Sequence, residues 1–208
     1  MLAIGAHFDD IELGCGGSLC KHANNGDAVT MYVATNSGFS GDAGSRDAGE
    51  ARKEGEKAAE IIGAKLILGG HQTLFLEFCD EVNSQLVQII HNHQIDTIYT
   101  HWNDDVHHDH AALAFSTLHA ARHVPRLLMY RSNWYHSTAP FHKQYYVDIT
   151  SVWKTKEKAL RAHESEMRRT GEKWIEYFRA EARNCGAETG VEMAEAFQVV
   201  KWLEPNRP

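Results

Sequence analysis

Residues 2–17 read LAIGAHFDDIELGCGG and hold the pattern that decides the fold. The short apolar run LAIGA is typical of a buried strand, and it ends directly in His7, Asp9 and Asp10. Burying these groups without a partner would cost several kcal/mol, so the pattern indicates a metal ion or another partner. His7 and Asp10 could converge on one ion and leave Asp9 beside it as a free base. In the alternative interpretation, an aspartate caps the next helix and His7 is a loop histidine.

Short apolar runs alternate with helical periodicity along the rest of the chain. Strands are predicted at residues 2–6, 28–35, 65–69, 95–101, 127–131, 144–149 and 197–202. Helices are predicted between the glycines at 14–17 and Gly26, and at 46–62, 81–93, 109–122, 151–169 and 171–183. This alternation predicts an α/β, Rossmann-like fold, with a mostly parallel sheet and helices on both faces. Because no repeat, linker or low-complexity tract interrupts it, one domain is predicted over 1–208.

The composition excludes several classes of protein. The chain has 21 Lys and Arg against 28 Asp and Glu, a formal net charge of −7, which argues against a nucleic-acid or anionic-membrane partner. There is no signal-peptide pattern, no apolar run long enough to span a bilayer and no Cys-x-x-Cys pair among the four cysteines. These features predict a soluble cytoplasmic protein. The 14 histidines are unusually many, and histidine is the commonest metal ligand.

A second polar cluster follows the predicted strand 95–101. Residues 101–110 read HWNDDVHHDH, with four His and three Asp before a predicted helix. One interpretation is an ordinary polar loop in which Asp109 caps the helix. However, repeated imidazoles bring no packing benefit, and ligands of parallel sheets bind at the carboxyl ends of the strands, where both clusters fall. Mixed His and Asp ligation with an open position is typical of catalytic zinc.

The two clusters resemble motifs of a known family. Residues 6–14 with Gly16 and Gly17 are similar to the opening Pro/Ala-His-Pro-Asp-Asp-Glu motif of the PIG-L (LmbE-like) zinc-dependent N-deacetylases. Residues 105–110 resemble that family's Asp-x-His-Pro-Asp-His motif. Weaker matches, in family order, are found at 52–54, 58–59, 62–63, 162–166 and 194–197. The resemblance therefore covers nearly the whole chain.

The resemblance implies a role for each site residue. It implies Zn²⁺ held by His7, Asp10 and His110, with Asp9 as the general base. It also implies a catalytic or tuning role for the pair His107 and Asp109, and a histidine, His163, that assists the oxyanion or the leaving group. A substrate contact by Arg52 rests on the same analogy. Among aromatic residues at strand ends, Trp102 could stack on a sugar ring.

The sequence also departs from the family pattern. Phe8 and His108 replace the usual prolines of the two motifs, and the latter adds an imidazole that could lie near the metal. The acidic residue after the aspartate pair is shifted to Glu12, and Glu166 replaces a glutamine. The last two differences affect inferred substrate contacts and leave the metal ligands unchanged.

The implied function is hydrolytic deacetylation of an N-acetylglucosamine-type sugar or glycoconjugate, with water activated by Asp9 and zinc. The family also implies a homo-oligomer. Three alternatives remain open: a zinc amidohydrolase acting on a non-sugar N-acyl compound, a non-catalytic metal- or sugar-binding protein, and a nucleotide-binding module, which the missing G-x-G-x-x-G disfavours. Fe(II) or Co(II) could also occupy a His-Asp-His site.

Overall fold

The structure, a computed structural model, describes residues 1–41 and 44–204. The strands are β1 Leu2–Gly5, β2 Thr30–Thr35, β3 Phe39–Gly41, β4 Gly44–Arg46, β5 Lys65–His71, β6 Thr97–His101, β7 Arg126–Tyr130, β8 Tyr145–Asp148 and β9 Ala194–Trp202. The α-helices are α1 Asp10–Asn24, α2 Ala48–Ile62, α3 Asp80–Asn92, α4 His108–Ala120, α5 Trp153–Arg161, α6 Glu164–Thr170 and α7 Lys173–Thr189, and a 3₁₀ turn, Thr150–Val152, precedes α5.

Seven strands form one sheet in the order β5-β2-β1-β6-β7-β9-β8. The first five in this order are parallel, whereas β9 runs antiparallel to both β7 and β8. The predicted, mostly parallel sheet is therefore confirmed. From β1 the chain proceeds outward to β2 and β5, and from β6 it proceeds outward in the other direction to β7. In open α/β sheets the crevice at such a reversal, here between β1 and β6, is where ligands bind.

Helices cover both faces of the sheet, as predicted. On one face α1, α2 and α5 contact one another, and on the other α3 packs against α4. Strand β1 contributes side chains to the hydrophobic cores on both faces of the sheet, because successive strand residues point to opposite faces. Ala3 belongs to the core under α1 and α2, while Leu2 and Ile4 belong to the core under α3 and α4.

Helix α1 begins at Asp10, so the prediction that it starts after the glycines is wrong. The glycines lie inside the helix, where they allow it to pack closely on the sheet. A Cβ atom at Gly14 would lie 2.0 Å from Cδ2 of Tyr130 on β7. Glycine is a weak helix former, so the sequence suggested a loop here. The structure instead has a helix whose close packing on the sheet requires glycine.

Two further boundaries differ from the prediction. The predicted helix 151–169 is two helices, α5 and α6, because His163 between them has non-helical backbone angles (φ −81°, ψ 65°). The predicted helix 46–62 starts later, at Ala48, where the Asp47 side chain accepts a hydrogen bond from the Glu50 N–H. Residue 46 instead ends an unpredicted hairpin formed by β3 and β4. Among the described residues, no helix is both long and apolar enough to cross a bilayer.

Candidate active site and metal centre

The central strand pair brings the two polar clusters together. Strands β1 and β6 are neighbours, with Leu2 opposite Ile98, and both end at the same edge of the sheet. The first cluster follows β1 and starts α1, and the second follows β6 and starts α4. As a result, His7 and His110 are in contact although they lie 103 positions apart in the chain.

Three side chains of these clusters point donor atoms at one another. Nδ1 of His7 is 3.2 Å from Nε2 of His110 and 3.2 Å from Oδ2 of Asp10. Nε2 of His110 is 3.2 Å from Oδ1 of Asp10. Zinc–ligand bonds of about 2.0–2.1 Å in a tetrahedral site put neighbouring donor atoms about 3.3 Å apart. The spacing of the three donors therefore fits a zinc-sized ion.

Each of the two histidines has a carboxylate on its other ring nitrogen. Nε2 of His7 is 2.9 Å from Oδ2 of Asp109, and Nδ1 of His110 is 3.1 Å from Oδ2 of Asp105. Asn133 Nδ2 also donates to Asp105, at 2.8 Å. Carboxylates in this position fix the tautomer that directs the remaining lone pair toward a metal. The carboxylates on the other ring nitrogens thus fit metal ligation, as the spacing of the three donor atoms does.

Asp10 is held as a carboxylate in the first turn of α1. Its oxygens accept hydrogen bonds from Ser132 Oγ at 2.8 Å and from the His7 N–H at 2.7 Å. Burial opposes the charge, but the neighbouring His110 holds the pKa of Asp10 well below its usual range. A buried anion beside imidazoles favours a cation at this point.

Two more imidazoles complete the cluster, His101 and His107. Donor atoms of His7, His107 and His110 lie within 4.8 Å of one another, and so do those of Asp10, His101 and His110. Nε2 of His101 accepts the Ala6 N–H at 2.9 Å, so its lone pair is already engaged. Burial and the neighbouring His110 lower the pKa of both His101 and His107 to about 4, which keeps both rings neutral.

The side chains of Asp109 and His107 do not pair in the way the resemblance implied. The Asp109 carboxylate contacts His7, and the contact to His107 is made by the Asp109 backbone, whose N–H is 3.2 Å from Nδ1 of His107. The other hydrogen bonds of the Asp109 carboxylate come from the N–H groups of Leu74, at 2.7 Å, and Leu76, at 3.1 Å. Asp109 therefore links the donor cluster to the loop that follows β5.

Asp9 lies next to the donor cluster in an unusual backbone conformation. Its φ is 114°, in the region that favours glycine, and residues held in such conformations concentrate at functional sites. Burial raises the pKa of Asp9 to about 7, against the opposing charge of Arg46, whose Nη1 lies 3.9 Å from Oδ2. A carboxylate that titrates near neutrality is suited to accept a proton and release it again.

A cavity of about 290 Å³ opens onto this cluster, near the lower end of the usual range for small-molecule sites. Its lining includes the polar residues His7, Asp9, Asp10, His107 and His110. It also includes the apolar and aromatic side chains Leu13, Phe39, Leu74, Tyr135 and Trp174. Arg46, Glu166 and Arg169 add charged groups to the wall. The cavity can therefore place a polar, reactive group of a ligand at the donors while its remainder contacts aromatic rings.

Four residues predicted for the site do not line this cavity: Asp109, whose contacts are described above, His163, Arg52 and Trp102. His163 is fully buried, with Nε2 3.1 Å from Oε1 of Glu12. Within the described chain, its Nδ1 is buried without a hydrogen-bond partner. Arg52 is exposed on α2 and donates to Glu56 at 2.8 Å. Trp102 is buried, at 2 % exposure.

His108, which from the sequence could lie near the metal, is exposed at the start of α4 and does not line the cavity either.

Other residues of the site were not singled out from the sequence. Asp105 stood inside the second motif, but nothing marked it as the partner of His110. Ser132 and Asn133 follow β7, and only their place after a parallel strand could have indicated them. No sequence pattern indicated Arg46, because it was the first residue of the charged surface helix predicted at 46–62. These residues support the site through tertiary contacts that local patterns do not encode.

The comparisons with known proteins agree with this geometry. The family model described as PIG-L, GlcNAc-PI de-N-acetylase, matches residues 2–121. The chain is 38% identical over 145 residues to the uncharacterized deacetylase YaiS of Escherichia coli, covering 64% of this chain and 73% of that protein. It is 28% identical to the diacetylchitobiose deacetylase of Thermococcus kodakarensis, over 96% of this chain and 82% of the relative.

The fold agrees as well. The crystal structure of the conserved protein TT1542 from Thermus thermophilus superposes with a TM-score of 0.83 at 26% identity, covering 99% of this chain and 96% of the other. Sequence, fold and the two motifs at the carboxyl edge of the sheet lead to one assignment. The chain belongs to the PIG-L family, and YaiS and the Thermococcus relative are both named as deacetylases.

Proposed function

We propose that this protein is a zinc-dependent N-deacetylase that hydrolyses the acetamide of an N-acetylglucosamine-type sugar or glycoconjugate. The observation that carries the proposal is a carboxylate, Asp9, beside three metal-type donors at the floor of one cavity. A protein that only bound a metal or a sugar would have no need of a free carboxylate beside these donors.

His7, Asp10 and His110 would hold the metal. When bound, zinc supplies a positive charge that activates water and polarises the carbonyl of the acetamide. Asp109 and Asp105 keep His7 and His110 in the tautomers that this ligation needs. A His/carboxylate donor set suits zinc, and Fe(II) or Co(II) would fit the same donors.

Asp9 would act as the general base that takes the proton of the attacking water. Its side chain is 22% exposed and lines the cavity, so a substrate and a water molecule can reach it. Burial raises the pKa of Asp9, which favours its taking this proton and later delivering it to the departing amine.

His107 and His163 would act from different places. His107 lines the cavity and presents a neutral imidazole to the substrate. His163 is buried, where Glu12 and Asp9 raise its pKa in spite of burial. We therefore assign to His163 an electrostatic influence on Asp9, and direct contact with the oxyanion would require it to move into the cavity.

The substrate class is supported by the relatives and by the aromatic wall. The Thermococcus relative is named for its action on diacetylchitobiose, an N-acetylated sugar. Tyr135 and Trp174, which line the cavity, are aromatic residues of the kind on which sugars stack. The rival substrates, N-acyl compounds without a sugar, would gain less from this wall.

The test is zinc analysis together with an assay of acetate release. We expect stoichiometric zinc, and release from N-acetylglucosamine derivatives in preference to N-acetylated amino acids. Asp9→Asn should keep the metal and lose about 10²–10⁴-fold in kcat, the usual contribution of a general base. Asp104→Asn, a change of an exposed aspartate in the second loop, is the matched control. Absence of bound metal, or a near-normal rate for Asp9→Asn, would refute the mechanism.

A further inference from the structure

The β3–β4 hairpin carries one arginine into the catalytic cavity. Arg46 is the last residue of β4, opposite Phe39 of β3. Its side chain is only 4% exposed, yet it lines the cavity next to Asp9. A buried guanidinium is costly unless its N–H groups are engaged, so its contacts indicate what it is for.

One nitrogen of Arg46 serves the segment that contains the proposed base. Nη1 donates to the carbonyl oxygen of Phe8 at 3.1 Å and lies 3.9 Å from Oδ2 of Asp9. The N–H of Phe8 in turn donates to Ser37 Oγ at 2.8 Å. Residue 8 is thus held on both sides, directly before the residue whose φ is 114°. A non-glycine residue in this region costs about 1–3 kcal/mol and persists only where its surroundings fix it.

The other two nitrogens anchor Arg46 itself. Nη2 donates to Glu54 Oε2 at 3.3 Å, and Nε donates to Ser165 Oγ at 3.1 Å. The N–H of Ser165 donates to the other oxygen of Glu54, at 2.6 Å, which completes a closed arrangement. Since each of the three guanidinium nitrogens donates to a protein group, Arg46 is better suited to hold the protein than to bind a substrate.

We propose that Arg46 is a positioning residue that holds Asp9 in its strained conformation and directs its carboxylate at the metal cluster. The inference rests on the proposed function in taking Asp9 as the base. A lysine could supply the charge but not the planar fork that joins Phe8, Ser165 and Glu54 at once. Arg46 thus lines the cavity, where the sequence had suggested Arg52, and its role is to position Asp9 and not to contact the substrate.

The test combines kinetics, zinc content and a crystal structure of Arg46→Met. We expect kcat to fall by about 100-fold, the scale of a misplaced reacting group, with KM and bound zinc unchanged. We expect the Asp9 φ to relax to a negative value in the crystal. Arg46→Lys keeps the charge and should still lose most of kcat, while added guanidinium should partly restore Arg46→Ala. Arg122→Met, at an exposed position after α4, is the control.

The outcomes separate this inference from the proposed function. A rise in KM with kcat unchanged would make Arg46 a substrate contact and overturn the inference. A normal rate with the Asp9 φ still positive would overturn it too, and so would full activity of Arg46→Lys. If the wild-type protein releases no acetate, the proposed function fails, and the conformation of Asp9 in the variant crystal still decides the role of Arg46.

Discussion

The most demanding prediction concerns Asp109→Asn, which changes one atom of a fully buried side chain. The carboxylate accepts three hydrogen bonds. Oδ2 takes those of His7 Nε2 and the Leu74 N–H, and Oδ1 takes that of the Leu76 N–H. In the better of the two amide orientations, the remaining oxygen keeps His7 and Leu74, and the new NH₂ group faces the Leu76 N–H. One buried donor loses its partner, and the His7 bond loses its charge-assisted strength.

These losses affect two quantities, the free energy of unfolding and the affinity for the metal. An unsatisfied buried N–H costs about 2 kcal/mol of the free energy of unfolding, which lowers Tm by about 4–8 °C in a chain of this size. Losing the carboxylate behind a metal-ligating imidazole weakens metal affinity by about 10–100-fold. The second effect corresponds to about 1.4–2.7 kcal/mol of binding free energy.

The two effects are measured separately. Thermal unfolding of the metal-free proteins gives the first, and a zinc titration against a competing chelator gives the second. Asp104→Asn, at an exposed position in the loop before α4, should leave both unchanged. If Asp109→Asn bound zinc as tightly as the wild type, the tautomer of His7 would not depend on Asp109. The role given to Asp109 in holding His7 for the metal would then be refuted.

Three more predictions follow from packing, charge and metal binding. Gly14→Ala should destabilise the fold by about 1–3 kcal/mol because its Cβ would overlap Tyr130. Gly16→Ala, whose Cβ would have its nearest neighbour atom 3.6 Å away, should be neutral or stabilising. Denaturant unfolding of the two variants compares their stabilities. Lys156→Met should cost about 3–5 kcal/mol because it leaves the buried Glu195 carboxylate, 2.6 Å away, without its cation, and stability equal to the wild type would contradict this account. Zinc at 100 times its Kd should raise the free energy of unfolding by about 2.7 kcal/mol, reversibly with a chelator, and an unchanged Tm would exclude a metal site in the native state.

The central part of the fold could be predicted because its signals are local. Buried parallel strands are written as apolar runs, and their carboxyl ends share one edge of the sheet. For this reason His7 and His110 could be expected to meet, although no local pattern links them. The same rule placed Asp9 and Asp10 in the crevice.

The remaining features could not be predicted because they depend on contacts between distant parts of the chain. Gly14 suggested a loop, since only its contact with Tyr130 shows why a helix requires glycine there. The strands of the β3–β4 hairpin have three residues each and expose most of them, so no periodicity marked them. Arg46 consequently seemed to be a surface residue. His163, where the predicted helix breaks, contacts Glu12, which lies 151 positions away in the chain.

The pairing of β1 with β6 also bears on when the ion could enter the protein. A chain that is still being synthesised has only His7 and Asp10 of the three proposed ligands until residue 110 has emerged. The third joins them only after the centre of the sheet has formed. Small zinc domains fold around their ion, but a chain of this size has a core that needs none. Under the proposed function, a cell short of zinc would accumulate folded but inactive protein, and later supply of the metal would restore activity without new synthesis.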